Sequence, residues 1–132
     1  AGSIPVLRAA LRGDRPDAWV DIEGPVDRWS LVPPTGNELS NWDTWRDASW
    51  AMLEPMRMIR RLERPYARLQ ATRDHVHGEM TLHAQRIVSA AQQAGLPVHS
   101  TPPLEGYIHG HPAAVLSALE WAIAEASRPR ED

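Results

Sequence analysis

The segment Asp74-His75-Val76-His77-Gly78-Glu79-Met80-Thr81-Leu82-His83 gathers three of the six histidines of the chain. On a helix, His75, Glu79 and His83 follow one another at i, i+4. Two imidazoles and a carboxylate then project from successive turns of one face, a geometry that chelates a divalent cation. His109 and His111, either side of Gly110, could complete such a set. The chemistry this implies is that of a metal-binding protein or a metal-dependent hydrolase. The spacing lacks the His-Glu-x-x-His of the zincins, however. The same residues also suit a packing role, with His83 in an apolar seam and His75 and His77 on the solvated side.

A second pattern is basic. Arg57, Arg60, Arg61, Arg64 and Arg68 step at three, one, three and four residues. On one continuous helix they occupy an arc of about 100°, a guanidinium surface suited to bidentate contact with carboxylates or phosphates. From Pro55 to Arg73 six arginines face the single acid Glu63. The acidic stretch Asp14, Asp17, Asp21, Glu23 and Asp27 could offset them internally, which would make the stripe structural. A third pattern is aromatic: Trp42, Trp45 and Trp50 cluster, with Trp19 and Trp29 upstream. Trp42 and Trp45 lie on an apolar stripe and read as core, whereas Trp50 lies off it and reads as a partner contact. No Gly-x-Ser-x-Gly elbow, Gly-x-Gly-x-x-Gly loop or Walker pattern occurs, so neither a serine hydrolase nor a nucleotide-using enzyme is expected.

These residues need elements to position them. Ile4–Arg12 reads as a short helix, with Ser3 as N-cap, Pro5 in the first turn and Gly13 as terminator. Ala18–Ile22 and Arg28–Val32 are β-prone runs around Gly24-Pro25, which predicts a small hairpin. Pro33-Pro34-Thr35-Gly36-Asn37 interrupts any regular element. Ser40-Asn41-Trp42-Asp43 approximates a capping box, opening a helix whose stripe is Trp42, Trp45, Ser49, Met52, Met56 and Ile59, kinked at Pro55 and broken or re-aimed at Pro65. Leu69, Val76, Met80, His83, Ile87, Ala90 and Ala94 then repeat at near-heptad spacing, closed by Gly95 and Pro97. Leu96–Ser100 suggests a short strand. Pro112 starts a last helix, with Val115, Leu116, Leu119, Ile123 and Ala126 on one side.

With 132 residues, 42% hydrophobic and 23% charged, the chain is expected to be one domain, 1–132. Its parts are an N-terminal helix and hairpin (1–37), central helices (40–95), and a loop or short strand with a C-terminal helix (96–132). The expected fold is mainly α within α+β: a kinked helical hairpin plus a C-terminal helix, covered by a small N-terminal β-hairpin, with an all-α bundle as the alternative. Without cysteine there is no disulfide framework, thiolate zinc site or thiol nucleophile. The run Ala113–Leu119 is far short of the ~20 residues that cross a bilayer, and no basic leader with an apolar stretch is seen, so a cytoplasmic protein is expected. All 14 basic residues are Arg, with no Lys and no Phe, a bias of GC-rich coding that suggests a bacterium or its phage. The net charge of −3 argues against a surface built throughout for phosphate, so a nucleic-acid role would need a local patch. The favoured reading is a non-enzymatic adaptor or regulator that presents Arg57, Arg60, Arg61, Arg64, Arg68 and Trp50 to an acidic protein or a nucleic-acid backbone. It needs no cofactor; the alternative reading, with His75, Glu79, His83, His109 and His111, needs a divalent metal.

Overall fold

A computed structural model describes residues 16–24, 55–73 and 80–129, and its centre is a strand where residue spacing predicts helix. The short helix α1 spans Pro55–Met58 and tightens into a 3-10 turn at Ile59–Arg61. It goes no further, for local reasons. Glu63 adopts a left-handed φ of 53°. Pro65 then offers no N–H, would collide with the Arg61 carbonyl in a helix, and biases Arg64 toward extended backbone. The chain leaves as β2, Tyr66–Leu69, in which all four residues are buried. Burial on both faces is what a central parallel strand requires.

β2 is flanked by β1 (Trp19–Ile22) and β4 (Val98–Ser100) in a three-stranded sheet of order β1-β2-β4, parallel throughout. The register aligns Asp21 with Arg68 and Arg68 with Ser100. After Gln70 the chain continues as β3 (Ala71–Arg73), and after Thr101-Pro102-Pro103 its neighbour continues as β5 (Leu104–Tyr107), again parallel. Three steps separate Arg68 from Ala71, but four separate Ser100 from Leu104, so the second strand carries an extra residue there. This bulge accommodates two prolines that cannot donate to a ladder. The Leu104 N–H recovers the pairing by donating to the Gln70 carbonyl at 2.8 Å. A second extra residue falls on β5 between Leu104 and Tyr107, opposite the two steps from Ala71 to Arg73, where Gly106 takes φ 82°.

Two layers of helix cover the sheet. Alternation along the strands sends Trp19 and Tyr66 to one face, where they pack on Met58, Ile59 and Leu62 and on Ile87, Ala90 and Ala91 of α2 (Met80–Gln93). Ala67 and Leu69 point to the other face, against Ala118 of α3 (Pro112–Ala126), with Val20, Ile108, Val115 and Trp121 around them. α2 ends in a Schellman motif: Gly95 takes φ 77°, Leu96 N–H reaches the Ala91 carbonyl, and Gly95 N–H reaches that of Gln92. α3 starts with Pro112 in its first turn. About half of the described chain is helical beside a small parallel sheet. Among the described residues, no helix is long and apolar enough to cross a membrane.

Several sequence expectations are thus corrected. The all-α alternative does not describe this chain, and the heptad-like pattern from Leu69 is not one helix: Leu69 is a strand residue, and the helix is described only from Met80. The first strand of the expected hairpin is present as β1, and its pairing with the second lies outside the described residues. Among the described residues β1 pairs with β2, in parallel, because both of its faces find a helix layer to bury against. α3 is also rotated from the predicted side. Leu116, Leu119 and Ile123 are exposed by 57%, 43% and 67%, and the small residues Ala118 and Ala122 face inward, letting the helix approach the sheet closely. The short strand read at Leu96–Ser100 is present as β4. The predicted Ile4–Arg12 helix, the Arg28–Val32 strand and the helix start at Ser40–Asp43 lie outside the described residues.

Candidate functional site

The arginines read as one helical stripe are divided by the fold. Arg57, Arg60 and Arg61 are exposed on α1 and its 3-10 turn. Arg64, beyond the turn, is half-buried and donates from Nη1 to the Glu63 carbonyl at 3.0 Å. Arg68 does not belong to the surface at all, being 1% exposed on β2. The predicted single arc fails because the helix stops after Arg61. Trp50 lies outside the described residues.

Arg68 instead anchors a buried polar cluster at the carboxyl ends of β1 and β2. Its Nη1 donates to Asp21 Oδ2 at 2.8 Å and to the Gly24 carbonyl at 2.7 Å. Its Nη2 donates to Gln70 Oε1 at 2.9 Å and lies 3.3 Å from His83 Nδ1. Tyr66 adds its hydroxyl to Asp21 Oδ2 at 2.7 Å, and Asp21 Oδ1 accepts the Gly24 N–H. Burial, followed by the Asp21 carboxylate, holds the Tyr66 hydroxyl well above its ordinary value, so it remains a donor. Burial works against the charge on Arg68, but Asp21 and Tyr66 outweigh it and raise the guanidinium above its usual value. The internal offset considered for the stripe is therefore realised at Arg68, through Asp21. A buried pair of this kind fixes how β1 sits on β2, and both charges are satisfied at each other's expense.

Of these exposed arginines, Arg60 borders a groove of about 350 Å3 between α1 and α2. Arg60 comes from the 3-10 turn and Arg86 from α2, while Met56, Leu82 and Ala90 give the lining apolar character and Gln85, Ser89 and Gln93 add amide and hydroxyl groups. The periodicity of α2 explains the arrangement. Ile87, Ala90 and Ala91 turn to the sheet, so Leu82, Arg86, Ser89 and Gln93 fall toward the outer side. Leu82 is 44% exposed, large for a leucine inside a helix. Arg86 was missed by sequence reasoning because it belongs to another helix than the stripe. Asp21, Tyr66 and Gln70 were missed as a unit because strand alternation, not helical spacing, aligns them.

The histidines are separated. His83 is buried on α2 beside the Arg68 guanidinium, a cationic neighbour that disfavours a metal ion there. His109 lies in the 3-10 turn at Ile108–Gly110 with its ring stacked 5.5 Å from that of Tyr107. His111 contacts the Glu105 carbonyl through Nε2. No group of three His, Asp or Glu side chains able to hold a metal forms among the described residues, so His83, His109 and His111 share no centre. His75 and Glu79 lie outside them. Of the tryptophans, Trp19 is core, edge-on to Tyr66 at 5.2 Å. No family model matches the chain, and no curated protein or solved structure matches it either.

Proposed function

We propose that the protein is a non-enzymatic interaction protein, an adaptor or regulator, whose groove between α1 and α2 receives an acidic segment of a partner protein. The observation that supports this is the pairing of Arg60 and Arg86 across a groove lined by Met56, Leu82 and Ala90. Guanidinium groups at an apolar lining suit a chain that alternates carboxylates with an aliphatic anchor. Exposed Arg57 and Arg61 extend the positive field around it in a protein of net charge −3, so attraction is local and directs the partner to this face. A nucleic-acid strand is the weaker match, because no aromatic ring among the described residues lines the groove to stack on a base.

The test uses two labelled probes, a short peptide of repeated Glu-Glu-Leu and an oligo-dT strand of similar charge. The peptide is expected to bind more tightly, and R60E/R61E to weaken it by at least about tenfold with a flatter salt dependence and an unchanged melting temperature. M56S is expected to weaken the Leu-bearing peptide while leaving an all-Glu peptide unaffected. Unchanged peptide affinity in R60E/R61E, or preference for oligo-dT, overturns the proposal.

A further inference from the structure

The outer side of α3 is apolar without being buried. Leu116, Leu119 and Ile123 lie open to solvent there and share an arc of about 100° with Glu120, the one charged residue among them. Contiguous aliphatic groups left in water mark an interaction surface, whereas single ones do not.

The two helix layers carry opposite charge. α1, its 3-10 turn and α2 hold Arg57, Arg60, Arg61 and Arg86 and no Asp or Glu. α3 holds Glu120 and Glu125 and no Arg, Lys or His. Glu125 is bound by Arg128 at 3.2 Å, so Glu120 is the carboxylate that α3 presents. The dimensions agree as well. The groove follows α2 from Leu82 to Gln93 for about 16 Å, and the aliphatic row from Leu116 to Ile123 is about 10 Å long, at roughly 1.5 Å of rise per residue. Ser89 and Ala90, both small, leave room along the middle of the groove. The sheet lies between the two layers, with α1 and α2 packed on Trp19 and Tyr66 and α3 on Ala67 and Leu69. A molecule therefore cannot lay its own α3 in its own groove, and the match is made only between copies.

We infer that α3 of one copy docks in the groove between α1 and α2 of the next, with Leu119 and Ile123 against Met56, Leu82 and Ala90 and with Glu120 toward Arg60 and Arg86. This rests on the reading of the groove as the receptor of an acidic segment with aliphatic anchors, and it names that segment. The two surfaces differ and lie on opposite sides of the sheet, so the contact is heterologous. Each docking leaves a groove open at one end and an α3 open at the other, and association runs head to tail past a dimer. One helix face in a groove buries less than the ~1,600 Å2 of a standard interface, so the assembly is reversible and follows concentration.

Sedimentation velocity of the full chain over about a hundredfold range of concentration is expected to show an average mass that climbs past a dimer and falls with added salt. An excess of the Glu-Glu-Leu peptide is expected to dissolve these species, because it fills the same groove. R60E/R61E, with an intact α3, and L119S/I123S, with an intact groove, are each expected to stay monomeric. Their equimolar mixture is expected to form a one-to-one dimer and nothing larger, since one usable groove and one usable α3 remain. Melting curves show whether both variants are folded; if L119S/I123S is not, E120R, which reverses one exposed charge, takes its place in the mixture. A parent chain that stays monomeric while the peptide still binds overturns the inference and leaves the reading of the groove standing; a parent chain that shows neither overturns both. Self-association that survives in either variant, or a mixture that forms no dimer, also overturns the inference.

Discussion

Asp21 and Arg68 show how much depends on a single pair of side chains. Removing Asp21 leaves a guanidinium buried without its counter-ion, and removing Arg68 leaves a carboxylate in the same state. Either D21A or R68A is expected to cost about 3–5 kcal/mol in urea unfolding, and the double substitution distinctly less than the sum. An additive double variant would mean that the two groups do not act as a pair. Tyr66 gives the same cluster a dependence on pH. Its folded value is raised above that of the unfolded chain, about 10. Its contribution is thus fully present below about pH 10 and is lost as pH rises through the folded value. Unfolding midpoints are expected to fall between about pH 8 and about pH 11, and to fall less in Y66F. Equal slopes would assign the alkaline loss to other groups.

At the level of elements, α3 reverses the usual relation between residue size and burial. Ala118 packs on Ala67 and Leu69, Ala122 is buried as well, and the leucines and the isoleucine look outward. A118L is expected to destabilise by about 1–3 kcal/mol through overpacking, whereas L116A is expected to change stability by less than about 0.5 kcal/mol; thermal melts of both variants check this. The helix itself was legible from Pro112 and its apolar content, as was the end of α2 from Gly95 and Pro97. Its orientation was not legible, because hydrophobic periodicity assumes that the largest apolar groups are buried, and a helix lying close on a sheet buries the smallest. β2 was lost for a related reason. Tyr66–Leu69 is buried on both faces and so shows no alternation of polar and apolar residues. Its arginine happens to continue a helical spacing begun eleven residues earlier, at Arg57. Only Pro65 marked the change of element. The groove was half legible: Arg57, Arg60 and Arg61 stood out by charge, but the helix that supplies Arg86 and Leu82 could be placed opposite them only by the crossover from β2 to β4.

At the scale of the whole molecule, the parallel arrangement joins parts of the chain made at different times. β2, α2 and β4 lie between Tyr66 and Ser100, a stretch that closes on itself. β1 has its described ladder partner 47 residues downstream, as measured from Trp19 to Tyr66. A ribosome adding about 5–20 residues per second leaves roughly 2–10 s between the two. During synthesis, Trp19 and Val20 are therefore available to solvent well before the strand that shelters them exists, and Asp21 waits equally long for Arg68. The first of the described strands to be made thus waits for its partner, and in that interval the carboxylate of Asp21 favours the hydration of an otherwise apolar stretch, Trp19–Ile22.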